Sequence, residues 1–221
     1  MILRVNKLKI ILFDWDNTLA ETRSALVASV NQVLSENHLP EWDAVKDRRD
    51  RNLSFRDNFS VLFGARGEEL YRSYKIIYLQ KIRSLLSTFD CVPETLAYLK
   101  SRGIKIAVMT NKDRELFDYE LPLLFDPSLF IRTVCGHEAP RDKPFPEHAL
   151  YTLNGLIAEE DISPEHVWIV GDSAQDSDCA KAAGVLPIRI GKPIWTPDLP
   201  DEPGIVYFNN FCAFLREISQ S

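Results

Sequence analysis

The stretch Leu12-Phe13-Asp14-Trp15-Asp16-Asn17-Thr18 decides the fold, because an apolar run ends there in two carboxylates one residue apart. A strand that stops in this way places both acids just beyond its carboxyl end, where ligands bind in an open α/β sheet. Asp14 and Asp16 repel each other unless a cation lies between them. Carboxylate oxygens of this kind suit Mg²⁺. Taken alone, the stretch is equally compatible with a polar turn after a strand.

Short apolar runs rich in β-branched residues recur along the chain and are separated by helical patterns. The runs are nearly continuous rather than alternating, which is typical of parallel strands buried on both faces. They therefore predict an α/β fold with a parallel sheet. The predicted strands are residues 8–13, 104–109, 129–134, 167–170 and 185–190, followed after a proline-rich loop (192–204) by a short strand (206–208) and a helix (210–219).

Residues 21–87 differ from the rest, because apolar residues keep helical spacing there and no strand-like run interrupts them. Some 65 residues are too many for a simple crossover, which needs little more than about a dozen. The pattern predicts an inserted α-helical cap at residues 21–87, with the core formed by residues 1–20 and 88–221. The insertion lies beside the paired acids, where a mobile cover would control access. A helical elaboration that only thickens the core is the alternative.

The 221 residues include 26 basic and 32 acidic ones, which gives a formal net charge of -6. The surface as a whole therefore offers no positive footprint for nucleic acid or an anionic membrane, and we expect neither partner. No segment approaches the roughly 18 uninterrupted apolar residues of a membrane span. The amino end lacks a small-residue cleavage site. These features predict a cytoplasmic protein.

The cysteines stand far apart without a Cys-x-x-Cys pair, so we expect reduced, mostly buried thiols rather than a zinc site or a disulfide framework. The histidines have no metal-ligand spacing, and we expect all of them at the surface or as capping residues. The cysteines are Cys91, Cys135, Cys179 and Cys212, and the histidines are His38, His137, His148 and His166.

Three further polar segments follow predicted strands or begin helices. Thr110-Asn111-Lys112 follows the second strand, and Lys143-Pro144 stands ahead of a helix. Gly171-Asp172 ends a later strand, with Asp176 one helical turn further on. Each segment alone is ordinary, since Thr, Asn, Ser and Asp commonly cap helices and a lone lysine is usually solvated.

Together with the first pair of carboxylates, these segments place acids, a hydroxyl with an amide, and a lysine at one edge of the sheet. Asp172 would complete a magnesium shell with the first pair, and Asp176 would orient ligands or Lys143. The combination indicates magnesium-assisted phosphoryl transfer to a carboxylate nucleophile.

The chain resembles the haloacid dehalogenase-like (HAD) phosphohydrolase superfamily, whose four motifs it matches in order. Residues 93–191 are especially similar to the phosphoglycolate phosphatase branch. The resemblance implies a Rossmann-like parallel sheet with helices on both faces and an inserted helical cap. The matching segments are Asp14-x-Asp16-x-Thr18, Thr110-Asn111, Lys143-Pro144 and Gly171-Asp172-Ser173-x-x-Asp176.

By this resemblance Asp14 would attack phosphorus and carry an aspartyl-phosphate, and Asp16 would act as general acid and then general base. Thr110 and Asn111 would hold the phosphoryl oxygens. Lys143 would offset the charge of nucleophile and phosphate.

The resemblance also implies that Asp14, Asp172 and the backbone carbonyl of Asp16 would ligate Mg²⁺. The predicted function is hydrolysis of a small soluble phosphomonoester, because a dehalogenase or a phosphonate-cleaving relative has no acid at the position of Asp16. A sugar phosphomutase of the same superfamily stays open, as does a non-catalytic binding protein that keeps the fold.

Asn17 stands where many members of the superfamily have Gly, and Asn tolerates the left-handed backbone that this turn requires. In the predicted cap, basic and acidic residues alternate over residues 41–67, which is typical of a solvated face. One arginine there could bind a second anionic group, and Arg49 or Arg51 is the predicted residue. Glu138 and Asp142 are expected to pair with basic neighbours.

Overall fold

The computed structural model describes Leu3, residues 5–192 and residues 202–220. In these residues a six-stranded sheet and a two-stranded sheet are surrounded by helices. No helix of the described residues is long and apolar enough to cross a membrane. The strands are β1 (Ile10–Phe13), β2 (Ala20–Glu21), β3 (Ser87–Thr88), β4 (Lys105–Met109), β5 (Arg132–Val134), β6 (Val167–Gly171), β7 (Leu186–Ile190) and β8 (Val206–Phe208). The helices are α1 (Arg23–Glu36), α2 (Trp42–Val45), α3 (Phe55–Phe63), α4 (Gly67–Leu85), α5 (Val92–Ser101), α6 (Arg114–Leu124), α7 (Pro146–Leu153), α8 (Ala174–Ala182) and α9 (Phe211–Ser219).

The large sheet has the strand order β5-β4-β1-β6-β7-β8, and all of its strands are parallel. β1 lies near the centre, where Ile10 is opposite both Lys105 and Val167. The carboxyl ends of β1, β4 and β6 therefore lie at the same edge. The predicted strands are confirmed, while most of the predicted loop at residues 192–204 lies outside the described residues.

Both faces of the large sheet are buried, which explains the continuous apolar run of β1. Ile11 and Phe13 pack in one apolar cluster with residues of α5, α6 and α9. Ile10 and Leu12 pack in another cluster with residues of α7 and α8. Because side chains alternate along a strand, a strand covered on both faces has no polar side. The predicted Rossmann-like α/β architecture is confirmed.

Helices α1–α4, which we call the cap helices, lie in the chain between β2 and β3. They share a further apolar cluster, in which Val30, Phe59 and Tyr74 are buried and to which Leu116 of α6 also belongs. β2 and β3 pair antiparallel, with Ala20 opposite Thr88, so the chain leaves and re-enters the core through one short ribbon. Two residues per strand are too few for a sequence pattern to predict. The separate cluster supports a cap at residues 21–87, which stays a prediction.

One expectation about the cysteines is wrong, because Cys91 and Cys212 form a disulfide. The two residues are 121 positions apart, and sequence spacing gave no sign of their pairing. They meet because each lies at the start of a helix, and these helices, α5 and α9, pack on the same face of the sheet. Cys135 and Cys179 are buried free thiols, as expected.

The expectation for His148 is also wrong, because its side chain is completely buried on α7. Helix α7 covers the sheet, and the helical spacing of Ala149, Thr152 and Leu153 places His148 on the same inner side. Burial, together with the nearby charge of Lys143, lowers the pKa of His148 to about 4. The imidazole is therefore neutral in the folded protein above about pH 4.

This burial predicts an acid-dependent loss of stability. The pKa of His148 is about 4 in the folded protein and 6.5 ordinarily, so between about pH 4 and pH 6.5 the unfolded chain binds this proton and the folded protein does not. Between pH 7.5 and pH 5 we expect His148 to reduce the free energy of unfolding by about 2 kcal/mol. Denaturant unfolding of wild type and His148→Leu at both pH values measures the difference. An equal pH dependence in the two proteins would contradict it.

Candidate active site

The predicted site residues meet at the carboxyl edge of the large sheet. Asp14 follows β1, Thr110 follows β4, Asp172 follows β6, and Lys143 comes from the loop between β5 and α7. They line one cavity of about 140 Å³ between the sheet edge and the cap helices. The cavity lining comprises Asp14, Asp16, Thr110, Asn111, Lys112, Leu116, Lys143, Asp172, Ser173 and Gln175 outside the cap helices, and Leu26, Phe55, Arg56, Tyr71 and Tyr74 on them.

A buried lysine joins two acids at the centre of this edge. The Nζ atom of Lys143 lies 2.6 Å from Oδ1 of Asp14 and 2.6 Å from Oδ1 of Asp176. Burial alone would lower the pKa of Lys143, but the two carboxylates raise it above its ordinary value. Burial raises the pKa of Asp14 to about 7, with Lys143 opposing the rise and Asp176 adding to it. Asp176 therefore contacts Lys143, as its expected role in orienting this lysine requires.

Asp14, Asp172 and Asp176 form a buried group of acids suited to a hard cation. One carboxylate oxygen from each lies within 4.8 Å of the other two. Oxygen ligands are what Mg²⁺ prefers, and a divalent cation would favour the ionised form of Asp14 that burial opposes. In the described residues the carboxylate of Asp16 does not belong to this group. Its predicted metal contact therefore rests on its backbone carbonyl.

The turn after β1 depends on Asn17, whose φ of 59° places it in the left-handed region. The expectation that Asn17 can adopt the left-handed backbone of this turn is confirmed. The side chain adds a contact that the sequence did not indicate, because its Nδ2 donates to Oδ2 of Asp172 at 2.7 Å. Asn17 thus links the first acidic loop to the last.

Gly171 permits the close approach of Asp176 to the end of β6. A Cβ atom at Gly171 would lie 2.2 Å from Cγ of Asp176, so any side chain there would displace the Asp176 carboxylate. Ser173 and Asp176 form a capping box at the start of α8, since the Ser173 side chain accepts from the Asp176 N–H and the Asp176 carboxylate accepts from the Ser173 N–H. The glycine and the capping box together fix the carboxylate that holds Lys143.

Asn111 uses its side chain to hold the Lys143 loop. Its Nδ2 donates to the carbonyl of Lys143 at 2.8 Å, and its Oδ1 accepts from the Lys143 N–H at 3.0 Å. The hydroxyl of buried Thr110 accepts from the N–H of Lys112 at 3.2 Å, and Thr110 lines the same cavity. The sequence placed both residues beside the site but did not reveal that Asn111 fixes the lysine.

Asp16 has two partners that the sequence analysis missed. Its Oδ1 accepts from Oγ1 of Thr22 at 2.6 Å and from Nζ of Lys112 at 2.7 Å. Lys112 in turn pairs with Glu120 at 2.9 Å. The sequence did indicate that Glu120 is buried, because its helical spacing places it on the apolar face of α6 with Leu116 and Phe117.

Among the described residues, the cavity lining includes Arg56 but neither Arg49 nor Arg51, so the predicted contact of Arg49 or Arg51 with a substrate stays a prediction. Arg56, on α3, pairs with Asp113 at 2.6 Å and with Asp142 at 3.1 Å, both outside the cap helices. Arg49 instead donates to the carbonyl of Lys46, because a tight turn follows α2. The expected pairing of Asp142 with a basic neighbour is confirmed. That of Glu138 is confirmed too, with Arg114 as its partner.

Several known proteins resemble this chain in sequence or fold. A phosphoglycolate phosphatase from Aquifex aeolicus (strain VF5) is 31% identical over 178 residues, which cover 80% of this chain and 82% of the relative. A pyrophosphatase PpaX from Bacillus mycoides (strain KBAB4) is 26% identical over 190 residues, which cover 86% and 85%. The crystal structure of CbbY from Rhodobacter sphaeroides in complex with phosphate shares the fold, with a TM-score of 0.79 and 18% identity over 96% of this chain and 99% of that one.

The family described as haloacid dehalogenase-like hydrolase matches residues 11–190, which include all four motif segments. The predicted resemblance is therefore confirmed, and the relatives that match over most of the chain are named as phosphatases. This chain belongs to the haloacid dehalogenase-like hydrolase family.

Proposed function

We propose that the protein hydrolyses a small phosphomonoester in the presence of Mg²⁺, through an aspartyl-phosphate on Asp14. The observation that carries this proposal is the buried carboxylate of Asp14, which contacts Lys143, lies near the carboxylate of Asp172 and lines the cavity. A carboxylate held beside a cation-binding group and a lysine is suited to attack an anionic phosphorus centre.

The proposed reaction has two steps, and the same site residues act in both. In the first step, Asp14 attacks phosphorus while Asp16 gives a proton to the leaving oxygen. Lys143 and the hydroxyl of Thr110 bind the transferring phosphoryl group, and Asn111 keeps Lys143 in place. In the second step, Asp16 takes a proton from a water molecule that attacks the phosphorus, the bond from phosphorus to the Asp14 carboxylate breaks, and inorganic phosphate is released. Mg²⁺, held by Asp14, Asp172 and the backbone carbonyl of Asp16, would supply charge neutralisation for the phosphoryl oxygens.

The substrate class follows from the cavity and from the relatives. The cavity of about 140 Å³ admits a phosphate with a small remainder while the cap helices stay in place. Relatives of this chain are named phosphoglycolate phosphatase and pyrophosphatase PpaX, and each name refers to a small phosphate compound as substrate. Phosphoglycolate and pyrophosphate are accordingly the first substrates to assay.

The experiment is a panel of metabolite phosphates, each assayed with Mg²⁺ and with a chelator for released inorganic phosphate. We expect Mg²⁺-dependent release from a small phosphomonoester. A rearranged sugar phosphate without free phosphate would instead indicate the phosphomutase. Binding without turnover across the panel and with p-nitrophenyl phosphate would indicate a non-catalytic protein.

Arg56 joins the cap helices to the core, and its loss should affect every substrate. Because its ion pairs with Asp113 and Asp142 hold α3 over the cavity, we expect Arg56→Ala to lower kcat/KM by about 10-fold, equivalent to about 1.4 kcal/mol. Arg49→Ala is the matched control, since Arg49 does not line the cavity. A fall confined to substrates with a second anionic group would contradict this role and indicate direct contact with the substrate.

A further inference from the structure

We propose that Lys112 is a positioning residue for Asp16, which fixes one carboxylate oxygen so that the other faces the leaving group of the substrate. This inference rests on the proposed function, in which Asp16 transfers the proton. It assigns a role to a buried cation that the phosphoryl-transfer steps themselves do not use.

Lys112 is held by three oxygen atoms in a largely buried position. Its Nζ lies 2.7 Å from Oδ1 of Asp16, 2.9 Å from Oε1 of Glu120 and 3.0 Å from the hydroxyl of Tyr78. Only 5% of the side chain is exposed. Three acceptors around an ammonium satisfy its three donors, so the burial of this charge is compensated. The ammonium therefore has one fixed position.

The partner of Lys112 is itself fixed. Glu120 is fully buried and accepts from Nε1 of Trp15 at 2.6 Å and from the hydroxyl of Tyr78 at 2.7 Å. Trp15 stands between Asp14 and Asp16 and packs edge-on against Phe117. The chain of contacts thus connects the acidic loop after β1, helix α6 and cap helix α4.

The effect on Asp16 is to distinguish its two oxygens. Oδ1 accepts hydrogen bonds from the side chains of both Lys112 and Thr22. Within the described residues, no side chain donates a hydrogen bond to Oδ2. Asp16 also lines the cavity. Two donors on one oxygen fix the rotation of the carboxyl group, which leaves Oδ2 as the atom that exchanges a proton with the leaving oxygen. Proton transfer depends on such placement within hydrogen-bond distance.

The test uses the leaving group. A p-nitrophenolate ion leaves without a proton, whereas the alkoxide of an alkyl phosphate requires one. Misplacement of Asp16 should therefore lower kcat/KM mainly for the alkyl phosphate. For Lys112→Met we expect kcat/KM to fall by about 30-fold with phosphoglycolate and by less than about threefold with p-nitrophenyl phosphate. Lys7→Met, which removes a surface partner of Glu165, should leave both values unchanged.

Loss of folding is separated from loss of positioning by the double variant Lys112→Met/Glu120→Gln. It removes both charges of the buried pair, so its denaturation midpoint should recover towards that of wild type while the difference between the two substrates persists. An equal loss with both substrates, or activity that recovers with stability, would overturn the proposal. If wild type releases no phosphate from any substrate, the proposed function itself fails, which is a different result.

Discussion

Replacement of Asp14 by Asn is expected to lower kcat by at least about 10⁴-fold, because an amide cannot attack phosphorus or carry the phosphoryl group. The change also replaces an anion that Lys143 contacts at 2.6 Å by a neutral group with a donor. Steady-state hydrolysis of p-nitrophenyl phosphate with saturating Mg²⁺ measures the loss, since the chromogenic product is visible at low rates.

The matched control is Asp43→Asn, the same substitution at an exposed carboxylate paired with Lys46. It should retain the wild-type kcat, because an exposed ion pair contributes little to stability and this one does not line the cavity. Asp14→Asn activity within 10-fold of wild type would mean that another group is the nucleophile.

Lys143→Met is expected to lower kcat by about 10³-fold. Without the ammonium, burial and the neighbouring acid would raise the pKa of Asp14 further above its ordinary value, so less of the nucleophile would be ionised. The charge on the transferring phosphoryl group would also lose a direct partner. Because the variant leaves Asp14 and Asp176 buried without their counter-ion, we expect a loss of about 3–5 kcal/mol in the free energy of unfolding.

The double variant Lys143→Met/Asp176→Asn distinguishes the two effects. Removing one of the two carboxylates relieves the buried charge, so stability should recover in part. The catalytic defect should remain, because the ammonium is still missing. Recovery of kcat together with stability would show that Lys143 has a structural role only.

The sequence was most informative where a chemical pattern and a strand end coincide. The run before Asp14 predicted β1, and the parallel sheet then required that the residues after β1, β4 and β6 meet at one edge. The left-handed turn at Asn17 followed from the conformational tolerance of Asn. In these cases the local pattern determines the geometry without knowledge of distant contacts.

The rest depended on packing between segments that are distant in sequence. From the sequence, Lys112 is an ordinary loop residue and Glu120 an ordinary helix residue; their role becomes visible only when the fold brings Tyr78 against them. The Cys91–Cys212 disulfide required the docking of α9 on α5. Arg56 could not be singled out from the other basic residues at 46–56, because which of them faces the cavity depends on how α3 is seated on the core.

The central claim, a phosphoryl group carried by Asp14, is tested most directly in the Asp16→Asn variant with p-nitrophenyl phosphate. The first step needs no proton from Asp16 with this substrate, but the second step needs Asp16 as a base, so the intermediate should accumulate. The account predicts a burst of about one p-nitrophenolate per enzyme and a phosphoryl mass increment on the peptide that contains Asp14. A burst without that increment, or an increment on another residue, would contradict it.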